Sequence, residues 1–274
     1  MNVRVSGDAD ASEGAESGVE HFPSVKVTRE GRSDIDALVS VEAPVTILFN
    51  GEELVTLLCS PHNLEFLAVG FLFSEGLVNS KDDIEQVLSY KGKGIVRVTT
   101  KTSGNNTNPS MIFKRMITSG CGRGTSFYNA ADKNSLKVQS ELTVTAEKVF
   151  DLASRFQRLS RSYLTTHGVH SSALCSDCEV LAFNEDIGRH NAIDKTFGEC
   201  LMKNIDPSGR ILVTSGRVTS EILHKAAKRN VPMIVSISAP TNLGVALAVD
   251  YGITLVGSAR GGKMIVYSHD RRVV

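Results

Sequence analysis

Residues 211–263 read ILVTSGRVTSEILHKAAKRNVPMIVSISAPTNLGVALAVDYGITLVGSARGGK. Ile211-Leu212-Val213-Thr214 is a short apolar run of strand type, and Thr219 to Lys228 repeats apolar residues at helical spacing. Pro232 to Ile237 reads as a second strand, Asn242 to Val249 as a second helix, and Ile253 to Val256 as a third strand. Strands that alternate with helices must cross over and pair in parallel, which makes this half an α/β unit. In such sheets ligands bind past the carboxyl ends of the strands, where helix N-termini present unpaired N–H groups to anions. Here those ends are Ser215-Gly216-Arg217, Ser238-Ala239-Pro240-Thr241 and Gly257-Ser258-Ala259-Arg260-Gly261-Gly262-Lys263. All are small, hydroxylated or Gly-bearing, and two carry Arg, so together they predict a pocket in which backbone approaches a phosphate and guanidinium clamps it. Taken alone, Ser-Gly-Arg is an ordinary turn, and no loop here is a P-loop or a dinucleotide fingerprint. Repetition at three successive strand ends carries the expectation of a nucleotide-like ligand.

Upstream, Asn184-Glu185-Asp186-Ile187-Gly188-Arg189-His190-Asn191-Ala192-Ile193-Asp194-Lys195 crowds acids, bases, an imidazole and amides around few apolar residues. The pattern predicts a loop-to-helix corner. Two readings stay open: a corner at a site, or a solvated helix start whose acids suit the dipole.

A second chemical pointer is Cys121, in Ser119-Gly120-Cys121-Gly122-Arg123-Gly124-Thr125. Three Gly strip side-chain cover from the thiol, while Arg123 and loop amides favour the thiolate, the form that attacks disulfides, persulfides and electrophilic carbon. A lone Cys is also commonly a small buried hydrophobe, but Gly and Arg are poor neighbours for burial. Cys175-Ser176-Asp177-Cys178 has metal or redox spacing, yet no second pair lies nearby and Asp177 suggests a hairpin turn. Cys59, at a strand end, and Cys200, one helical turn past Phe197, read as packing residues. His167 and His170 frame Gly168, but His170-Ser171-Ser172 lacks the Glu that a zinc deaminase needs, so no metal is expected.

The whole chain has 274 residues, 41% of them apolar, enough for one large or two modest domains. Lys and Arg number 30 and Asp and Glu 30, so no global field pulls toward nucleic acid or membrane, and any anion site must be local. No apolar run approaches the roughly 20 residues of a membrane helix. Met1 to Ser12 lacks the basic and apolar regions of a signal peptide, making the cytoplasm the expected compartment. Five cysteines without regular spacing suit reduced thiols. Residues 1–22 are rich in Gly, Ser, Ala and acids and are expected to be disordered. Residues 23–140 read as a smaller strand-rich portion, with a hairpin turning at Asn50-Gly51 and a helix opened by Ser60-Pro61 and stopped by Gly76. Ser103 to Pro109 reads as a mobile loop. Residues 141–274 form the α/β part.

Glu42-Ala43-Pro44, Gly70-Phe71-Leu72-Phe73-Ser74-Glu75-Gly76, Gly120-Cys121-Gly122, Thr166-His167-Gly168-Val169-His170, the Glu185-to-Lys195 run, Ser215-Gly216-Arg217, Ser238-Ala239-Pro240-Thr241 and Gly257-Ser258-Ala259-Arg260-Gly261 occur in this order. In these motifs, across roughly residues 40–270, the chain resembles the FdhD/NarQ family of formate dehydrogenase accessory sulfurtransferases. The resemblance implies a cytidine-deaminase-like fold without zinc. It further implies delivery of sulfur from a cysteine desulfurase to the molybdenum cofactor of formate dehydrogenase, in its bis(molybdopterin guanine dinucleotide) form, which a guanine nucleotide would mimic. Cys121 would then be the persulfide carrier, and Ser258, Ala259, Arg260, Gly261, Gly262 and Lys263 the cofactor-binding stretch. Ser215, Gly216 and Arg217 would form another wall, with His190 and Asp186 organising the pocket. A homodimer is the implied assembly. Two positions depart from the family pattern: Gly124 stands where a second loop cysteine is usual, and Ser258 where an aromatic residue is usual. A cofactor chaperone without sulfur chemistry and a nucleotide-processing enzyme are the rival classes.

Overall fold

The computed structural model describes residues 2–5, 18–101 and 136–274; Cys121 and the Ser103–Pro109 loop lie outside the described residues. Strand β1 (Asn2–Val5) is followed by a two-stranded ribbon, β2 (Val19–Thr28) with β3 (Gly31–Ser40). Next come β4 (Ala43–Phe49) and β5 (Glu52–Cys59), helix α1 (Leu64–Glu75), then β6 (Ile84–Tyr90) and β7 (Ile95–Thr100). The second half runs α2 (Ala146–Leu159), α3 (Arg161–Thr166), β8 (His170–Cys175), β9 (Val180–Asp186), α4 (Arg189–Lys203), β10 (Ile211–Thr214), α5 (Ser220–Lys228), β11 (Met233–Ser236), α6 (Asn242–Tyr251), β12 (Thr254–Arg260) and β13 (Lys263–Ser268). Among the described residues the result is a mixed α/β architecture with three sheets containing parallel and antiparallel pairs.

Asn50 and Gly51 both take positive φ, 52° and 93°, as a two-residue hairpin turn demands, and they join β4 to β5. Alternate residues then face one side: Val45, Ile47 and Phe49 on β4, Val55, Leu57 and Cys59 on β5, all buried against the apolar face of α1. Gly76 ends α1 at φ 82°, its N–H reaching back to Leu72 and Phe73. The five-stranded sheet has the order β1-β6-β7-β4-β5.

The six-stranded sheet has the order β13-β12-β11-β10-β8-β9, with β10, β11 and β12 parallel as the strand-helix alternation requires. Parity again splits its side chains. Leu212, Ile234 and Leu255 join the core under α4, α5 and α6, while Ile211, Val213, Met233 and Val235 meet Leu152 and Phe156 of α2 on the opposite face.

Two readings of the sequence are corrected. Within the stretch expected to be disordered, Asn2–Val5 pairs in parallel with β6, and Val19–Phe22 lies in the β2–β3 ladder; backbone pairing with a neighbouring strand orders both segments. Gly257–Lys263 is a continuation of strand, not a strand-end loop. The chain bulges between Gly257 and Arg260, turns at Gly261 and Gly262, both at positive φ, and returns as β13.

Helices α1 and α4 join the two halves. A Cβ on Gly70 would lie 1.7 Å from the Asp194 carbonyl oxygen, and one on Gly198 would lie 1.9 Å from that of Phe66. Only glycine at both positions lets the two backbones touch. Gly70→Ala is therefore expected to force the helices apart and to cost about 3 kcal/mol, the upper range for overpacking. Gly92→Ala, where an added Cβ meets nothing within 4 Å, should leave stability near wild type. Urea unfolding of both variants checks this, and equal stabilities would disprove the close approach.

Candidate functional site

The chemistry-dense run occupies the end of β9 and the first turns of α4, and most of its charge is spent internally. Asp186 is fully buried, and both its oxygens are filled. Oδ1 accepts from the Gly188 N–H at 2.8 Å and the Asn191 amide at 3.0 Å; Oδ2 accepts from the Ser60 N–H at 3.1 Å and meets Lys195 Nζ at 2.7 Å. The Lys195 ammonium, also fully buried, donates to the Ser60 carbonyl at 3.0 Å and the Glu185 carbonyl at 3.4 Å, which exhausts its three N–H bonds. Ser60, expected to open α1, instead locks onto this centre, its hydroxyl accepting from the Ile187 N–H at 3.1 Å. A buried pair with every lone pair and proton satisfied holds geometry at little net cost. Asp194 makes a second buried pair with Lys225 and accepts from the Ser74 hydroxyl at 2.6 Å. Burial pushes its carboxyl up to about 6 against the pull of Lys225 and Ser74. Glu185 accepts from the hydroxyls of Ser160 and Ser162, at 2.5 and 3.0 Å, and so fastens the start of α3.

What remains for a ligand lies at the carboxyl ends of the parallel strands, where α4, α5 and α6 all begin. Three segments there are knitted together. The Gly216 N–H donates to Thr214 Oγ1 at 3.2 Å, and the Ser236 hydroxyl donates to the Gly216 carbonyl at 2.8 Å. The Ser238 N–H donates to Ser236 Oγ at 3.0 Å, and the Ser258 N–H to the Ser238 carbonyl at 2.9 Å. Ser258 holds φ 54°, a left-handed conformation uncommon for a residue with a side chain. Arg217, Arg260, Gly261, Gly262 and Lys263 are exposed around this surface, with Arg260 paired opposite Lys263 at the hairpin tip. Ala259 is fully buried among Val256 and Val213, so only its backbone can face a ligand.

Two residues join this surface that the strand-end reading passed over. Arg189 lies across Gly216: a Cβ there would be 2.8 Å from Arg189 Cβ and 3.2 Å from its Cδ, so glycine at 216 sets the path of the guanidinium. His170, at the start of antiparallel β8, sits beside Ser215, with Nδ1 3.3 Å from Ser215 Oγ. The signal in the sequence is the Thr166-His167-Gly168-Val169-His170 motif, whose last residue enters β8. Among the described residues no group of three or more His, Cys, Asp or Glu could hold a metal ion.

His190 is buried at the first turn of α4, its Nε2 3.4 Å from Glu221 Oε2. Its Nδ1 and the Arg189 Nε are buried without a partner among the described residues. Burial, then the charges of Lys225 and Arg189, drives the imidazole down to about 3, so it is neutral in the folded protein. His170 is also held below the usual histidine range, by burial and then by Arg189. The positive charge of the surface is therefore guanidinium and ammonium charge.

The described cysteines divide sharply. Cys59, Cys175 and Cys200 are buried, and burial pushes each thiol up to about 12. Cys178 is exposed in the β8–β9 turn, at the opposite end of the sheet from the Arg-bearing surface, and Cys175 faces the α2 core, so the two thiols do not converge on one site.

The histidines give a pH dependence of stability. Folded His190 stays neutral down to about 3, whereas the unfolded chain binds a proton near 6.5, so the unfolded state holds more protons in between. Stability is complete above that upper value and falls as pH drops, by at most about 1.4 kcal/mol per pH unit from this group. His62 and His170, also lowered, act in the same direction. Urea unfolding at about pH 7 and pH 5 should show a loss of about 2 kcal/mol from His190, and His190→Gln should make the loss smaller by that amount. An unchanged slope in the variant would refute the assignment.

The FdhD/NarQ family profile matches residues 40–274. A Staphylococcus aureus (strain MRSA252) protein named sulfur carrier protein FdhD is 43% identical over 235 residues, covering 85% of this chain and 88% of the relative. Its counterpart in strain Newman is 42% identical over the same shares. A crystal structure from Desulfotalea psychrophila, of a protein assigned as a formate dehydrogenase accessory protein, superposes with a TM-score of 0.76 at 25% identity, spanning 93% of this chain and 99% of that one. With the profile spanning residues 40–274 and relatives this similar along most of their length, the chain belongs to the FdhD/NarQ family.

Proposed function

We propose that this protein is a sulfurtransferase that carries sulfur on Cys121 from a cysteine desulfurase to the bis(molybdopterin guanine dinucleotide) form of the molybdenum cofactor required by formate dehydrogenase. The observation that carries the reading is the surface at the strand ends: Arg189 crossing Gly216, exposed Arg217, and three helix N-termini opening at one end of the sheet. Guanidinium forks and unpaired N–H groups are what the pyrophosphate of a dinucleotide needs. Cofactor is cargo here, held by its phosphates through Ser215-Gly216-Arg217 and the Ser258–Lys263 hairpin. The mixed six-stranded sheet suits the cytidine-deaminase-like domain that the resemblance implies.

The relatives named sulfur carriers support the sulfur step, as does the fate of the other thiols, three of which are held protonated by burial. In that step the Cys121 thiolate attacks the outer sulfur of the desulfurase persulfide. The donor S–S bond breaks as the Cys121 S–S bond forms, and the donor cysteine leaves as thiolate, with no net oxidation. With Gly124 in place of a second loop cysteine, the relay runs through one loop cysteine and uses no disulfide between two.

Incubation with a cysteine desulfurase and free cysteine, followed by alkylation and peptide mapping, should find one added sulfur on the Cys121 peptide and none in Cys121→Ala. Arg217→Ala should weaken binding of guanosine diphosphate about tenfold or more, the loss expected for charge-assisted hydrogen bonds. Persulfide at Cys178 instead would reject Cys121. Nucleotide binding with no persulfide on any cysteine would leave a cofactor-binding chaperone.

A further inference from the structure

We infer that Ser215 fixes His170 as its Nε2–H tautomer, and that this N–H donates to a phosphate oxygen of the ligand held at the strand ends. The ligand role rests on the nucleotide reading of that surface.

The tautomer follows from hydrogen-bond bookkeeping. Ser215 is clamped to β8 by two bonds: its N–H donates to the Ser171 carbonyl at 3.0 Å, and its Oγ accepts from the Ser171 N–H at 2.9 Å. The hydroxyl proton must still find an acceptor. Among the described residues the partner within reach is His170 Nδ1 at 3.3 Å. Were Nδ1 to carry the proton, Ser215 Oγ would accept twice and its own O–H would be left without an acceptor in a half-buried position. Donation from Ser215 to Nδ1 satisfies both groups. Burial and the adjoining Arg189 and Arg217 charges keep the ring neutral, and a neutral imidazole has one N–H, which is then Nε2–H.

Position makes that N–H useful. His170 pairs with Asp186 across β8–β9, at the sheet end where Asp186 anchors the first turn of α4 and Arg189 follows. Its Nε2 has no hydrogen bond among the described residues. A neutral donor beside two guanidinium groups adds direction to anion binding without adding charge. It therefore selects an oxygen at a set position, where arginines alone would accept any anion. The same chemistry explains why Ser215, a residue with a small side chain at a strand end, is tied down twice: it is a positioning residue, and His170 is the one that touches ligand.

Nitrogen-15 NMR of the histidine rings in the full-length protein tests the tautomer without any ligand. The His170 spectrum should show a protonated Nε2 and an unprotonated Nδ1, and Ser215→Ala should convert it to a mixture. A wild-type His170 protonated on Nδ1 overturns the inference. Calorimetric titration with guanosine diphosphate tests the contact: His170→Ala should bind about fivefold more weakly, as expected for one neutral hydrogen bond. His170→Gln, whose amide supplies an N–H at similar reach, should restore most of the affinity, which a merely structural role would not. Full affinity in His170→Ala beside a weakened Arg217→Ala overturns the contact while sparing the nucleotide site. No binding by the wild-type protein rejects the nucleotide reading and the contact together, and the tautomer is then judged on its spectrum alone.

Discussion

The buried pair of Asp186 and Lys195 is the constraint on which the rest of the molecule depends. Its partners come from three places: the loop after β5 through Ser60, the end of β9, and the first two turns of α4. Two charges without access to water are tolerable only where every oxygen and proton has a partner, and these do. The pair therefore fixes where the first half of the chain meets the second. It also sets the angle at which α4 leaves the sheet, and with it the placing of Arg189 and His190. Asn191 adds a bond to the Leu58 carbonyl at 2.9 Å, carrying the same restraint back into β5.

Around that centre the two cores are built on one shared wall. Helix α4 is buried without interruption from His190 to Cys200, with the six-stranded sheet on one side and α1 on the other. Phe73 of α1 packs into the second core, and Arg229 lies 3.6 Å over its ring while donating to its carbonyl. Leu201 packs against both cores. A helix in this position cannot be amphipathic in the usual way, which is why polar residues such as Asp194 and Lys195 on it are paired inside the protein.

Much of the fold was legible because local rules governed it. Asn50-Gly51 marks its hairpin by backbone conformation alone, and the strand-helix alternation after Ile211 leaves parallel pairing as the one economical solution. Legibility failed where a distant partner decided the outcome. Asn2–Val5 is a strand because β6 is beside it, and four alternating residues next to a polar, Gly- and acid-rich stretch were too short a signal to say so. Gly261-Gly262 was as good a loop as a turn until β13 supplied the returning strand. At the site, the run from Glu185 to Lys195 announced dense chemistry, but sequence could not say that its acids face inward to Ser60, Ser160 and Ser74. Nor could it bring His170 and Arg189 to Ser215 and Gly216, since those contacts cross between segments that are neighbours only in the folded sheet.

The glycine crossing of α1 and α4 has a consequence for how the chain is made. The helices are separated by more than a hundred residues of sequence, so α1 leaves the ribosome long before its partner exists. At typical synthesis rates the gap is roughly ten seconds. Throughout it the nascent first sheet holds α1 on one face, while Gly70 and Phe73 on the other wait in water for α4. Folding of the first half is thus completed by the second, and until α4 arrives the nascent chain passes through a stage in which it needs shelter.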